Sequence, residues 1–278
     1  MDMMSYLIGK KSGGSEPILQ EKTETITTNT TTTISPDTGY DGLSSVEVTT
    51  NIPVRDWTEI GYTEEPDCIQ DFFDYSKEIK RTWNANITNC TSKYAMNNNV
   101  VYFPVVDTSK VMTMQSMFEA DGGLQVVPKL DTKKVETFYY FCKSCNTLRE
   151  VGEIEVNLSG SIEFYQAFYA CRILETAPMI KVPNGTAKLY GTFQGCTLLK
   201  NVPQWDLYGI NQMTNTFTNC PNLTSESLNN IMGCIKLSQS FTGTKTLKAI
   251  GFTSDQATIC EGLSNWSTLQ LAGWTTGY

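Results

Sequence analysis

The chain has 278 residues, with 21 basic against 29 acidic side chains and a net charge of -8, a balance that argues against nucleic acid and against an anionic membrane surface. No run approaches the roughly 18 apolar residues of a membrane span. Histidine is absent while cysteine occurs nine times, so histidine-dependent triads, histidine metal ligands and imidazole acid–base chemistry are excluded together.

Residues 1–11 carry charges at Asp2, Lys10 and Lys11 around a very short apolar patch. They show no h-region and no cleavage site, so the expectation is a protein made in a cytoplasm without a signal peptide. In that setting an odd set of cysteines reads as free, buried thiols. The stretch Gly9-Lys10-Lys11-Ser12-Gly13-Gly14-Ser15 lacks the spacing of a phosphate loop and has no strand before it. Residues 1–17 are therefore expected to be a flexible tail, or a docking peptide that orders on a partner.

Residues 18–62 are rich in Thr, with a near-continuous run over 27–33 bracketed by Ile26 and Ile34. β-branched Thr favours strands. Pro36-Asp37-Thr38-Gly39 has turn composition, and Leu43, Val46 and Val48 suggest a further strand. A β-module this small is marginal alone and should pair with other copies or another protein. Within it, Leu19-Gln20-Glu21-Lys22-Thr23, the Thr-rich spacer and the run Tyr40-Asp41-Gly42-Leu43-Ser44 resemble an N-terminal module of tailed-bacteriophage virion structural proteins. That resemblance implies attachment to a particle through contacts with other virion proteins. It also implies a homo-oligomer, a trimer among the options, and a displayed distal domain.

Residues 63–83 read as a helix. Thr63 suits the N-cap, Glu64, Glu65 and Pro66 suit the first turn, and Cys68, Phe72, Tyr75 and Ile79 fall at helical spacing. Its expected role is to seal the open end of a repeat array, with residues 63–99 forming this cap and a degenerate first repeat.

A repeat dominates residues 100–253. Its first apolar position recurs at Met114, Phe138, Phe164, Leu189, Met213 and Leu237, in steps of 24, 26, 25, 24 and 24. Further columns read Phe118, Cys142, Phe168, Phe193, Phe217, Phe241; then Asp121, Cys145, Cys171, Cys196, Cys220, Thr244; then Leu124, Leu148, Leu174, Leu199, Leu223, Leu247. Columns of this regularity specify a solenoid. The unit, with its M-F-x-x-C-x-x-L-x-x-V-P-x-L-D-T-S wording, resembles the BspA-like, or Treponema-type, leucine-rich repeats. The resemblance implies a short parallel strand at L-x-x-V and a helical turn at M-x-x-x-F. Residues 224–232 read as a capped helix with Leu228, Ile231 and Met232 inward, and residues 254–278 as a C-terminal cap opening on another short helix. The expected fold is thus α+β repeat: a small N-terminal β-module, a capping helix, then a leucine-rich-repeat solenoid with short parallel strands and helical turns.

The candidate chemistry is mostly absorbed by the columns. Cys142-Lys143-Ser144-Cys145 has zinc or redox spacing, but both cysteines fall on core columns and no second such pair exists. Neighbouring cysteines of the column should lie near disulfide distance across a parallel ladder, yet burial favours reduced thiols packed as small hydrophobes. Glu150, Glu153, Glu155 and Glu175 are candidates for paired carboxylate catalysis, but they read as solvated positions. No catalytic, cofactor-binding or metal-ligating residue is expected.

Tyr139, Tyr140, Tyr165, Tyr169, Tyr190 and Tyr208 lie off the main columns and are the candidate ligand contacts, because tyrosine favours recognition surfaces. Trp205 continues the Leu130, Ile154, Ile180 column and reads as packing. The functional expectation, resting on resemblance, is a non-enzymatic virion protein: a head fibre, decoration protein or tail adhesin that binds a bacterial surface glycan or protein. The rival readings are a bacterial surface adhesin with the same repeats, a glycan depolymerase, and a purely structural particle protein.

Overall fold

The computed structural model describes residues 86–96, 103, 106–238 and 241–278, together with the backbone of four strands earlier in the chain. The predicted tail over 1–17 lies outside the described residues, as does the phage-like segment over roughly 19–50 apart from two short strands. Within the Thr-rich run, strands β1 (Thr25–Thr27) and β2 (Thr31–Thr33) pair antiparallel, with Ile26 opposite Thr32.

The helix predicted over 63–83 is not formed. Strands β3 (Ile69–Asp74) and β4 (Ile79–Asn84) pair antiparallel instead, with Phe72 opposite Arg81 and Phe73 opposite Lys80. The sequence explains the reversal. Ile69, Phe72, Phe73, Ile79, Thr82 and Trp83 are β-branched or aromatic, and such residues fit a pleated surface better than a helix. The i, i+3, i+4 apolar pattern was satisfied by chance over a segment too short to decide between the two periods.

From Asn89 onward the chain winds as a repeat solenoid. Parallel bridges link Asn89 to Thr113, Thr113 to Thr137 and Thr137 to Glu163, so equivalent residues of successive rungs stand side by side. The L-x-x-V segments also pair in parallel, β5 (Val126–Val127) with β6 (Glu150–Val151). On the third side β7 (Ile154–Glu155) and β8 (Ser161–Glu163) both pair with the long β9 (Ile180–Lys188), which in turn pairs with β10 (Asp206–Gln212), all parallel. β9 runs unbroken through the corner that Asp131-Thr132 turns two rungs earlier. Gly185 lets it pass, because a Cβ there would sit 2.5 Å from the Gly160 carbonyl oxygen.

The segment after each first apolar position is not a helical turn. Phe138, Tyr140, Cys142 and Ser144 donate their N–H groups to the carbonyls of Glu163, Tyr165, Ala167 and Tyr169 in the next rung, at 2.7–3.0 Å. Phe141, Lys143 and Cys145 donate back three residues within their own rung, at 3.1 Å. Two files of left-handed residues make this possible. Ser92, Ser116, Tyr140, Gln166, Gly191 and Asn215 form one, and Met96, Ala120, Ser144, Ala170, Gly195 and Asn219 the other, all with positive φ. A left-handed residue every fourth position stops a right-handed helix from propagating and frees alternate N–H groups for the neighbouring rung.

The core is the set of columns. Met114, Phe138, Phe164, Leu189 and Met213 are fully buried, as are Leu124, Leu148, Leu174 and Leu199. Phe168, Phe193 and Phe217 stack at 5.3 and 5.9 Å, and Trp205 packs against Phe193 at 5.9 Å while donating its indole N–H to the Pro178 carbonyl. The sixth copy departs from its predicted register. Leu237 ends helix α1 (Ser225–Leu237), and Phe241 packs on Trp274 rather than on Phe217. Phe252 continues the aromatic column instead, 6.0 Å from Phe217. The reason is α1 itself, whose capping by Thr224 inserts a helical excursion before the chain can rejoin the stack. Short helices α2 (Leu247–Ile250), α3 (Ser254–Glu261) and α4 (Trp266–Leu271) close this end, α3 with a capping box between Thr253 and Gln256.

Candidate functional site

The candidate tyrosines divide into three groups. Tyr139, Tyr165 and Tyr190 occupy equivalent positions in successive rungs, and their rings stack at 4.7 and 4.9 Å with planes 6° and 3° apart. Tyr140 joins this ladder from its left-handed position, 4.2 Å from the Tyr139 ring. Tyr169 sits further along its rung and walls a separate groove with Arg172 and Gln194. Tyr208 lies on β10, is 71% exposed and has no place in the ladder.

The ladder exists because each ring follows a buried anchor. Phe138, Phe164 and Leu189 are fully buried immediately before Tyr139, Tyr165 and Tyr190, and the main-chain bonds between rungs hold the backbones in register. Ring separation then equals the ordinary spacing of adjacent strands. The three tyrosines are part-buried, and stacking covers the ring faces between neighbours. A stack this close has no room for a ligand ring between two tyrosines. The strip instead presents aromatic edges and a row of hydroxyls, each able to donate and accept a hydrogen bond.

Charge borders the strip at one end. The Lys143 ammonium stands 3.7 Å above the Tyr140 ring and also pairs with Glu119 at 3.1 Å. The hydrogen bond to Tyr140, followed by burial, holds the Tyr139 hydroxyl above the ordinary tyrosine pKa, and burial raises Tyr165. Both remain neutral hydroxyls at neutral pH. Lys143 and Glu119 were not among the residues read from sequence as contacts, although their spacing of 24 residues is the repeat step and signalled adjacency.

The other candidates resolve differently. Cys142 and Cys145 are fully buried, unbridged thiols, and burial pushes Cys142 well up. Glu153 is clamped by Lys181 at 2.6 Å and Lys129 at 3.0 Å, and the Lys181 bond is the larger cause holding its carboxyl below the usual range. A general acid needs the opposite shift. Glu175 pairs with Lys200 at 3.0 Å. Among the described residues no cluster of three or more Cys, Asp or Glu could hold a metal ion, and no helix is long and apolar enough to cross a membrane.

A family model described as "Mycoplasma protein of unknown function, DUF285" matches residues 69–176 and 187–271, well over half of the chain. The matched segments take in the β3–β4 hairpin, the solenoid rungs and the closing helices. No curated protein and no solved structure matches the chain.

Proposed function

We propose that this chain, which belongs to the family just described, is a non-enzymatic display protein whose solenoid presents the tyrosine ladder to a bacterial surface glycan or protein. In this reading it is a virion structural protein of a tailed phage, of head-fibre, decoration or tail-adhesin type. The region before the solenoid attaches it to other virion proteins and makes it an oligomer, and the solenoid is of the BspA-like leucine-rich kind. The observation that carries the reading is the Tyr139–Tyr165–Tyr190 stack with Tyr140 and Lys143 at its end. Tyrosines held rigidly at a surface lose little entropy on binding, and they offer apolar edges and hydroxyls together.

The test is binding of the full chain to bacterial cells, with and without replacement of Tyr139, Tyr165 and Tyr190 by Ser. Saturable binding that the replacement abolishes supports the reading. Binding that survives the replacement, or no binding across a panel of hosts, sinks it. Purified particles that lack the protein would remove the virion part alone. Shortening of a surface polysaccharide by the purified chain would make it a depolymerase.

A second reading is favoured by the family description, which names a bacterium. On that reading the same ladder belongs to a bacterial surface adhesin. Recovery of the protein from a cell envelope rather than from particles decides between the two.

A further inference from the structure

A groove of about 500 Å³ crosses several rungs on the side that carries the second file of left-handed residues. The repeat register builds it. Ala170, Gly195 and Asn219 are successive members of that file and line it, with φ of 57°, 81° and 60°. The wall before them is Tyr169 and Gln194. The wall after them is Arg172, Thr197 and Pro221, each of which immediately follows a buried cysteine of the core column. Ala170 and Gly195 carry little or no side chain at its centre. A Cβ added at Gly195 would come into ordinary contact with Ala170, at 3.5–3.7 Å, so the backbones of these two rungs lie close together along the groove.

The lining chemistry is selective. Arg172 is the one charged side chain among the lining residues, and no carboxylate joins it. The guanidinium offers a planar fork of donors suited to a carboxylate. Gln194, Asn219 and Thr197 add groups that both donate and accept, as vicinal hydroxyls require. Tyr169 supplies an aromatic body of the kind on which the apolar face of a sugar ring rests. Tyr169, Ala170 and Pro221 give the groove an apolar side as well, on which a ring can rest.

We infer that this groove is a second recognition site, specific for a carboxylate-bearing saccharide of the uronic-acid type. It deepens the display reading above by naming a ligand class, and it uses residues separate from the tyrosine ladder. The carboxylate pairs with Arg172, the ring lies along Tyr169, and the hydroxyls reach Gln194, Thr197 and Asn219.

The experiment is titration of the full chain with glucuronate and with glucose, followed by nuclear magnetic resonance. Glucuronate is expected to bind at least about tenfold more tightly than glucose, the worth of one charge-assisted hydrogen bond. Arg172→Ala should remove that advantage. Ala170→Leu, which fills the centre of the groove from a backbone already left-handed and already bearing a Cβ, should abolish binding of both sugars. Equal affinity for the two sugars, an unchanged Arg172→Ala, or a short peptide carboxylate that competes as well as glucuronate overturns the assignment. Melting temperatures of both variants within a few degrees of the parent show that they fold. If Arg172→Ala loses glucuronate while cell binding persists, the groove stands apart from the ladder. If the ladder variant keeps its cell binding while the chain still prefers glucuronate, the ladder reading fails and the groove assignment stands.

Discussion

The Sγ of Cys196 lies 3.0 Å from the carbonyl oxygen of Phe168, one rung before it. The same contact recurs from Cys145 to Phe118 at 2.9 Å, from Cys171 to Cys142 at 3.1 Å and from Cys220 to Phe193 at 3.0 Å. The column is therefore a file of thiol donors, each closing onto the rung below. The Phe168 carbonyl also accepts the Cys171 N–H at 3.2 Å, so it keeps a partner when the thiol is removed. Cys196→Ala is expected to cost about 1–2 kcal/mol, from lost packing and one weak hydrogen bond. Cys196→Ser should cost less, because the hydroxyl keeps the donor. Urea unfolding of both variants checks this, and a Ser variant weaker than the Ala variant would show that only apolar contact matters.

Burial pushes the thiols of Cys90, Cys220 and Cys260 up to about 12 and that of Cys234 up to about 11, from an ordinary value of 9.0. The unfolded chain releases these protons from about pH 9, and the folded chain holds them until about pH 11–12. Their contribution to stability is therefore complete below about pH 9 and is lost as pH rises toward 12. The urea midpoint should fall steeply between about pH 9 and pH 12. In the same samples an alkylating agent should label the native protein slowly and the denatured protein at every thiol. A flat midpoint across that range contradicts the prediction.

Three glycines should separate cleanly on replacement by Ala. At Gly152 a Cβ would lie 2.2 Å from the Lys129 nitrogen, and at Gly251, with φ of 101°, it would lie 2.3 Å from the Thr218 nitrogen. Both neighbours are backbone atoms of an adjacent rung, so the rungs must move apart. Each change should cost about 3 kcal/mol or more. At Gly160 a Cβ would meet nothing within 4 Å, and its replacement should be nearly neutral. Thermal melts of the three variants give the comparison directly.

Tyr165 stacks on Tyr139 and on Tyr190, whereas Tyr208 is 71% exposed outside the ladder. Each stacked pair is worth about 0.5–1.5 kcal/mol beyond area burial. Tyr165→Ala should therefore destabilise by about 1–3 kcal/mol, and Tyr208→Ala by no more than about 0.5 kcal/mol. Ring-current shifts of Tyr139 and Tyr190 protons should collapse in the first variant and persist in the second.

The repeat and its core could be read from residues alone. A Leu, a Cys and an aromatic recurring every 24–26 residues must each face the same neighbours in a stack, so period, columns and burial followed together. The fate of Cys142 and Cys145 and the packing role of Trp205 followed the same logic. Local patterns of ambiguous period did not. Residues 69–84 carried a helical spacing and a strand composition at once, and the antiparallel pairing of β3 with β4 decided between them. The register of the last copy was lost because a capped helix can take up the residues between two columns without altering the motif on either side.

What the sequence determined by itself is which residues are inside, because burial is a property of a column and a column is visible as a period. What only the tertiary structure decided is how the outside is arranged. Positive φ at Tyr140, Ser144, Gln166 and Ala170 turns the predicted helical segment into a file of bonds between rungs. That choice places Tyr139, Tyr165 and Tyr190 ring upon ring, and sets Ala170 and Gly195 along a groove beside Arg172. Non-glycine residues pay conformational strain for left-handed backbone, and only hydrogen bonds from a neighbouring rung compensate it. That compensation joins residues about 25 apart, so no window of the sequence shorter than a full repeat contains it.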